Sequence, residues 1–460
     1  MIPTDAPLTP LGPYRREARA LLRLGLPLIG SHVAQTLIVT TDTLMMGWYD
    51  VTALAALSLS GPLWFLFFIL GSGFALAVMP MVATAEGQGD ETQARRVTRM
   101  GMWLSVLFGV IVTPLFFFFN DIYLAIGQEA EVARLGGIYM SYLGIAIIPA
   151  LLVMVLKSYL SALELTRSIL FVTIAGAVLN AGINYLLIFG NLGAPEMGIA
   201  GAGLASILGN LFAFLALAFY AVKKRPDHEL FKNMHRPDWE AFGRVLRLGL
   251  PIGFTVFAEV ALFAIATVMM GWVGTIPLAA HGVALQISSV TFMVHLGLSQ
   301  AATVRIGRAV GQTDSASQIV LAGKVAMAMS MVMGVVTIAA FLMIPEVLVG
   351  LFIDPADPDR PLILIAGASL LAVAALFQFA DSAQVMGLGL LRGIQDTRMP
   401  MIIATFSYWL IGLPVSYGLG FSFGLGGVGI WLGLTAGLAS AAILLQRRFW
   451  TGPAVDATLQ

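Results

Sequence analysis

Twelve stretches of mostly apolar residues recur along the chain, at 22–46, 52–80, 99–119, 136–160, 168–190, 199–223, 245–270, 277–304, 322–352, 361–389, 399–420 and 425–447. Each is long enough to cross a hydrocarbon core of about 30 Å as a helix. Short polar turns separate most of them. The longest polar interval, KKRPDHELFKNMHRPDWEAFGR, runs from Lys223 to Arg244 and divides the set six and six. The pattern predicts an all-α membrane protein of twelve transmembrane helices in two pseudo-symmetric six-helix lobes. The expected N-terminal lobe is residues 1–222, the cytoplasmic linker is 223–244, and the C-terminal lobe is 245–460.

The halves are copies of one another. Leu22-Arg-Leu-Gly-Leu-Pro27 recurs as Leu246-Arg-Leu-Gly-Leu-Pro251, an offset of 224 residues. At that same offset Met45-Met46-Gly47-Trp48 meets Met269-Met270-Gly271-Trp272, and Leu54-Ala55-Ala56 meets Leu278-Ala279-Ala280. Gly87-Gln88-x-Asp90 likewise meets Gly311-Gln312-x-Asp314. Thr166-Arg167 later meets Thr397-Arg398, and Gly201-x-Gly203 meets Gly427-x-Gly429, at slightly different offsets. Matches at a fixed period mark a duplication. An even number of helices per half inserts both halves in one orientation, which places the pseudo-symmetry axis along the membrane normal and suits alternating access by rocking.

Charge then orients the helices. With the N-terminus on the cytoplasmic side, all but Arg134 and Arg360 of the 25 Lys and Arg residues fall inside, as the positive-inside rule requires. A missed or extra helix would scramble that partition. Both termini are therefore expected in the cytoplasm, with the arginine-rich opening a lead-in to the first helix rather than a cleaved signal. Lys157 and Glu164 read as residues of the cytoplasmic edge. The chain is 58% hydrophobic and 11% charged, against about 25% charged for a soluble domain. It has no cysteine and no net charge, so no disulfide framework, thiolate metal site or nucleic-acid footprint is implied.

The candidate chemistry lies in ionisable groups within spans, each of which costs about 2.5–3.5 kcal/mol at the bilayer centre. Asp42 sits about 9 Å below the interfacial Trp48 by helical rise. Glu259 lies in PIGFTVFAEVALFAI, about 20 Å from Trp272, and Asp381 lies deep in ALFQFADSAQVMGLG. At the repeat offset Asp42 meets Ala266 and Glu259 meets Gln35, so the shared scaffold does not require either acid. Each carboxylate is either a structural group hydrogen-bonded across helices or a site for a proton or a hard cation such as sodium. Asn180 and Asn184 share a face of the fifth helix; they serve either as interhelical glue or as partners of Asp42 in a polar patch. His32, His281 and His295 have no metal-ligand spacing and read as hydrogen-bonded core or interface residues. Aromatic and methionine-rich surfaces suit flat lipophilic cations, although most such side chains simply pack helices or face lipid. There is no G-x-x-x-x-G-K-[ST] phosphate loop and no H-E-x-x-H, which removes an ATP-driven motor and a zinc protease of that type.

Several segments together resemble the multidrug and toxic compound extrusion (MATE) family, in particular its NorM-like branch. They are the two LRLGLP openings, GAPEMGIAGAG, LPIGFTVFAEVALF, DSAQVMGLGLLRGIQDTRMP and YWLIGLPVSYGLGF. The resemblance implies a secondary antiporter of the bacterial inner membrane, not an enzyme, exporting small cationic lipophilic compounds against sodium ions or protons. It needs no cofactor beyond the coupling ion, and no protein or nucleic-acid partner. It implies cation binding at Glu259 and Asp381, sodium being one candidate ion there. Asp42, Asn180 and Asn184 would form a second polar site for protons or substrate. The place of a helix-eight tyrosine near the cation in some members is taken by Phe292, and Asn184 replaces the aspartate of a DinF-like branch. The competing readings are a lipid-linked precursor flippase, disfavoured by the scarcity of intramembrane basic residues, a non-coupled channel, and an integral-membrane enzyme.

Overall fold

The computed structural model describes residues 12–312, 315–355 and 357–452; Asp314 of the second G-Q-x-D element lies outside them. Twelve helices among the described residues are long and apolar enough to cross a membrane. They are α1 Gly12–Tyr49, α2 Val51–Gln88, α3 Glu91–Phe116, α4 Ala130–Ala162, α5 Thr166–Phe189 and α6 Ile199–Lys224. After the polar interval come α7 Trp239–Val273, α8 Thr275–Val310, α9 Ser315–Met343, α10 Arg360–Gly393, α11 Arg398–Ser422 and α12 Gly426–Trp450. The apolar pattern thus located every spanning helix.

Helix ends follow local chemistry. Asp50 and Asp90 cap α2 and α3 by accepting from the backbone N–H groups of Ala53 and Gln93 at 2.7 and 2.9 Å, satisfying donors that a helix start leaves open. Gly89 closes α2 at φ 72°, the left-handed conformation that glycine adopts without penalty. The G-Q-x-D element is therefore a helix-to-helix turn with a cap at each side. The turns after α4 and α10 repeat one conformation: Glu164 and Gln395 both take φ 61°, each followed by the same reverse hydrogen bond, Leu165 N to Leu160 O and Asp396 N to Leu391 O. The expected ninth span, 322–352, is cut at Met343. Pro345 has no N–H to continue the helix and starts a separate short one, Pro345–Gly350.

The chain separates into two compact units, Gly30–Val260 and a second made of Met1–Ile29 with Ala261–Gln460. Their boundaries fall inside α1 and α7, not in the polar interval, and glycine explains the exchange. Within Gly30–Val260, Gly249 of the second LRLGLP element and Gly253 just after it face α2: a Cβ on Gly249 would come 2.8 Å from the Cα of Phe74, and one on Gly253 2.6 Å from the carbonyl of Leu70. Gly73 faces Gly249 and Gly253 in return. Within the other unit, Gly297 of α8 faces Gly25 and Ile29 of α1, where a Cβ would sit 3.0 Å from the Ile29 nitrogen. Gly73 and Gly297 are repeat partners, as are Gly25 and Gly249. Small residues let helix backbones touch where lipid supplies no hydrophobic drive between helices. The repeated LRLGLP element is thus a docking surface, and each half contributes the start of its first helix to the other half's unit.

The polar interval between α6 and α7 is packed, not loose. Arg225 pairs with Glu86 at 3.0 Å. His228 is fully buried, with Nδ1 2.7 Å from the Tyr159 hydroxyl. Trp103 donates to the Met234 carbonyl at 2.8 Å, and Arg99 to that of Asn233 at 3.2 Å. Asp238 caps α7 through the Ala241 N–H and takes a two-pronged grip from Arg96. In the other unit, Arg305 of α8 grips Glu17 of α1 the same way, at 2.8 and 2.7 Å. Different residues tie down the start of α1 and of α7, each to a helix of the unit it has joined.

Two outcomes follow from this packing. Gly73→Val should destabilise the detergent-purified protein by about 1–3 kcal/mol or more through overpacking. Gly61→Ala in the same helix, where a Cβ meets nothing within 4 Å, should be neutral or stabilising; thermal unfolding compares the two. The Arg96 guanidinium holds the Asp238 carboxyl at about 2, below its ordinary 3.8. A depressed carboxyl contributes stability that is fully present above its unfolded value and is lost as pH falls through its folded one. Between about pH 4 and pH 2, the unfolding midpoint of the wild type should therefore fall toward that of Asp238→Asn, while above pH 5 the gap stays constant.

Candidate functional site

The residues picked out in α1 and α5 meet. Asp42 is 8% exposed, Asn180 3% and Asn184 fully buried. Asn184 Nδ2 donates to Asp42 Oδ1 at 2.5 Å and to Asn180 Oδ1 at 3.2 Å. The spacing of four residues on α5 brings the two amides into one stack. The threonines around Asp42 do not compete for it: Thr40, Thr41 and Thr43 donate to carbonyls of their own helix. Asn184 Oδ1 is buried with no partner. That orphan suits a second state, because an amide donates to a carboxylate but, once turned, accepts from a carboxylic acid.

Below this stack the seam between α1 and α5 opens. Ser31 and Thr173, both buried, join their hydroxyls at 3.0 Å. Between that contact and Asp42–Asn184 lies a cavity of about 110 Å³, with Gln35, Lys157, Asn180, Ser206 and Asn210 among its lining residues. Lys157, expected at the cytoplasmic edge, is one of the residues that line this cavity. Gln35 was legible only as the repeat partner of Glu259; Ser206 and Asn210 carried no signal of their own, since a single amide or hydroxyl in a span is common.

In the second unit Asp381 is 2% exposed on α10, beside the fully buried Gln378 and Gln384. Gln378 Nε2 reaches the Ser288 carbonyl of α8 at 3.4 Å, and Gln384 Nε2 the Tyr408 hydroxyl of α11 at 2.5 Å. The Oε1 atoms of both glutamines and the Ser288 hydroxyl are buried without partners. Polar acceptors therefore gather around the level of Asp381. Glu259 is half-buried on α7 and falls one residue before the end of Gly30–Val260. Glu259 and Asp381 thus belong to different compact units, and neither unit assembles the pair by itself.

His281 and His295 are core residues, while His32 is half-buried on α1. The Trp431 indole N–H donates to His281 Nδ1 at 3.0 Å, and an indole can only donate. His281 is thereby fixed with its proton on Nε2, which reaches the Thr267 hydroxyl at 3.0 Å; Thr267 donates on to the Phe263 carbonyl. This relay ties α7, α8 and α12 together. His295, fully buried, places Nδ1 2.9 Å from the Ser330 hydroxyl of α9.

The sequence has known relatives. The family model described as MatE matches residues 27–186 and again 251–418, one copy for each half of the repeat. The chain is 46% identical over 435 residues to a probable multidrug resistance protein NorM of Rhizobium meliloti, covering 94% of this chain and 93% of that protein. It is 43% identical to the corresponding protein of Agrobacterium fabrum, over 95% and 94% of the two chains. Among solved structures it superposes on a MATE in the bent conformation with TM-score 0.85 at 20% identity, covering 97% and 98%. It superposes on the eukaryotic MATE transporter AtDTX14 with TM-score 0.83 at 19% identity, covering 96% and 98%. At that identity the structures speak for the fold, while the sequence relatives and the twofold match to the family model speak for descent. The chain belongs to the MatE family and is a multi-pass membrane transporter rather than an enzyme.

Proposed function

We propose that the protein is a secondary antiporter of the bacterial inner membrane, with both termini cytoplasmic, that expels small cationic lipophilic compounds in exchange for sodium ions or protons. The relatives named as probable multidrug resistance proteins support the efflux role. The observation that carries the coupling is the buried Asp42–Asn184–Asn180 stack. It leaves an acid in a spanning helix with one amide partner able to serve either protonation state. Glu259 on α7 and Asp381 on α10 are the further acids, each proposed as a ligand for the coupling cation. Both are oxygen donors, which suits sodium as well as a proton. Exchange then follows from linkage: the cation binds the two orientations of the carrier with different affinity, and so shifts their populations.

Proteoliposome efflux of a fluorescent cationic dye, driven separately by a sodium gradient and a pH gradient, tests this. Transport under one gradient is expected, with Glu259→Gln and Asp381→Asn each lowering the driven rate by about tenfold or more. Intact cation-dependent efflux in both variants would sink the assignment. Asp42→Asn keeps an acceptor for Asn184, so it should fold and still bind dye while losing proton-driven transport. Equal proton drive in wild type and Asp42→Asn would leave the stack a purely structural contact.

A further inference from the structure

We infer that Lys157 and the cavity it lines form a binding site for an anionic group, supplied either by a carboxylate on the transported compound or by a small inorganic anion. The inference rests on the transport reading and adds a charge preference to it. Lys157 belongs to no ion pair among the described residues, yet it stands in a spanning helix, where a lone ammonium is costly and marks function by default. Apart from Lys157 the lining is uncharged: Gln35, Thr173, Asn180, Ser206 and Asn210 are its polar side chains, set among aliphatic ones. The amides among them can orient an anion without neutralising the lysine.

Helix geometry argues against a side chain merely escaping to the nearer surface. Lys157 lies close to the C-terminal end of α4, which closes at Ala162. Helical side chains lean back toward the N-terminus, so Lys157 leans into the bundle rather than out past the helix end. The space is also built. Gly176 and Gly209 line the cavity, and a Cβ on either would meet nothing within 4 Å. At about 110 Å³ the cavity is smaller than the roughly 300–1,000 Å³ of a pocket for a whole drug-sized ligand. It is the right size for a carboxylate or a halide with a few waters. Asn180, which lines the cavity, accepts from Asn184, the partner of Asp42, which places a cation-seeking acid and an anion-seeking lysine along one seam.

Thermal unfolding of the purified full chain tests the site first, with sodium formate and sodium chloride compared against sodium gluconate, whose anion is too large to enter. Formate or chloride should raise the unfolding midpoint of wild type and Lys157→Arg. Lys157→Gln should lose the effect, and so should Gly209→Leu, which fills the cavity without touching the charge. Equal anion response in wild type and Lys157→Gln, or none in wild type, overturns the proposal whether or not any dye is transported. A pair of cationic rhodamine dyes, one a free acid and the other its ethyl ester, then identifies the source. If the substrate carries the anion, Lys157→Gln weakens binding of the acid by about tenfold, as expected for a lost charge-assisted bond, and leaves the ester unchanged. If a small anion fills the site, binding of both dyes by wild type depends on chloride, and that dependence vanishes in Lys157→Gln. A wild type that exports neither dye but keeps its anion response would instead count against the efflux reading alone.

Discussion

The constraint on which this structure depends is that polar groups in a bilayer must find their partners inside the protein. It is why every spanning element is a helix, and why Asp50 and Asp90 close donors at helix starts. It also explains the hydroxyls of α1, which fold back on their own carbonyls. Once the routine groups are satisfied, the exceptions become informative. They include Asn184 Oδ1 in the stack with Asp42, and the Oε1 atoms of Gln378 and Gln384 on α10.

The same solvent sets how the helices hold together. Lipid is as apolar as leucine, so close backbone contact replaces hydrophobic drive. Gly25, Gly73, Gly249, Gly253 and Gly297 supply that contact. The cost falls on topology, because the start of α1 and of α7 each leave their own half. Polar grips then secure the exchanged ends, Glu17 to Arg305 in one unit and Asp238 to Arg96 in the other. The duplication is thus kept in the packing glycines and discarded in the ion pairs, where the charged surface could vary without disturbing the fold.

The proposed chemistry is lopsided across the repeat. Asp42 faces Ala266 and Gln35 faces Glu259 at the same offset. One half carries its acid on its first helix beside an amide stack, and the other carries Asp381 on α10 among buried glutamines.

The sequence by itself determined the twelve spans, the duplication and the presence of Asp42, Glu259 and Asp381 within spans, because each is a local signal: apolar length, a fixed offset, or a charge inside an apolar stretch. It also put Asn180 and Asn184 on one face, since helical periodicity alone decides that. What only the tertiary structure decided is which of these groups meet. Asp42 and Asn184 are 142 positions apart, and no periodicity spans that distance. The exchange of α1 and α7 was hidden because glycine in a membrane helix looks the same whether or not it touches another backbone. The place of Lys157 near a helix end points only to a membrane edge; the cavity it lines is walled by neighbours from three other helices, and only their packing reveals it.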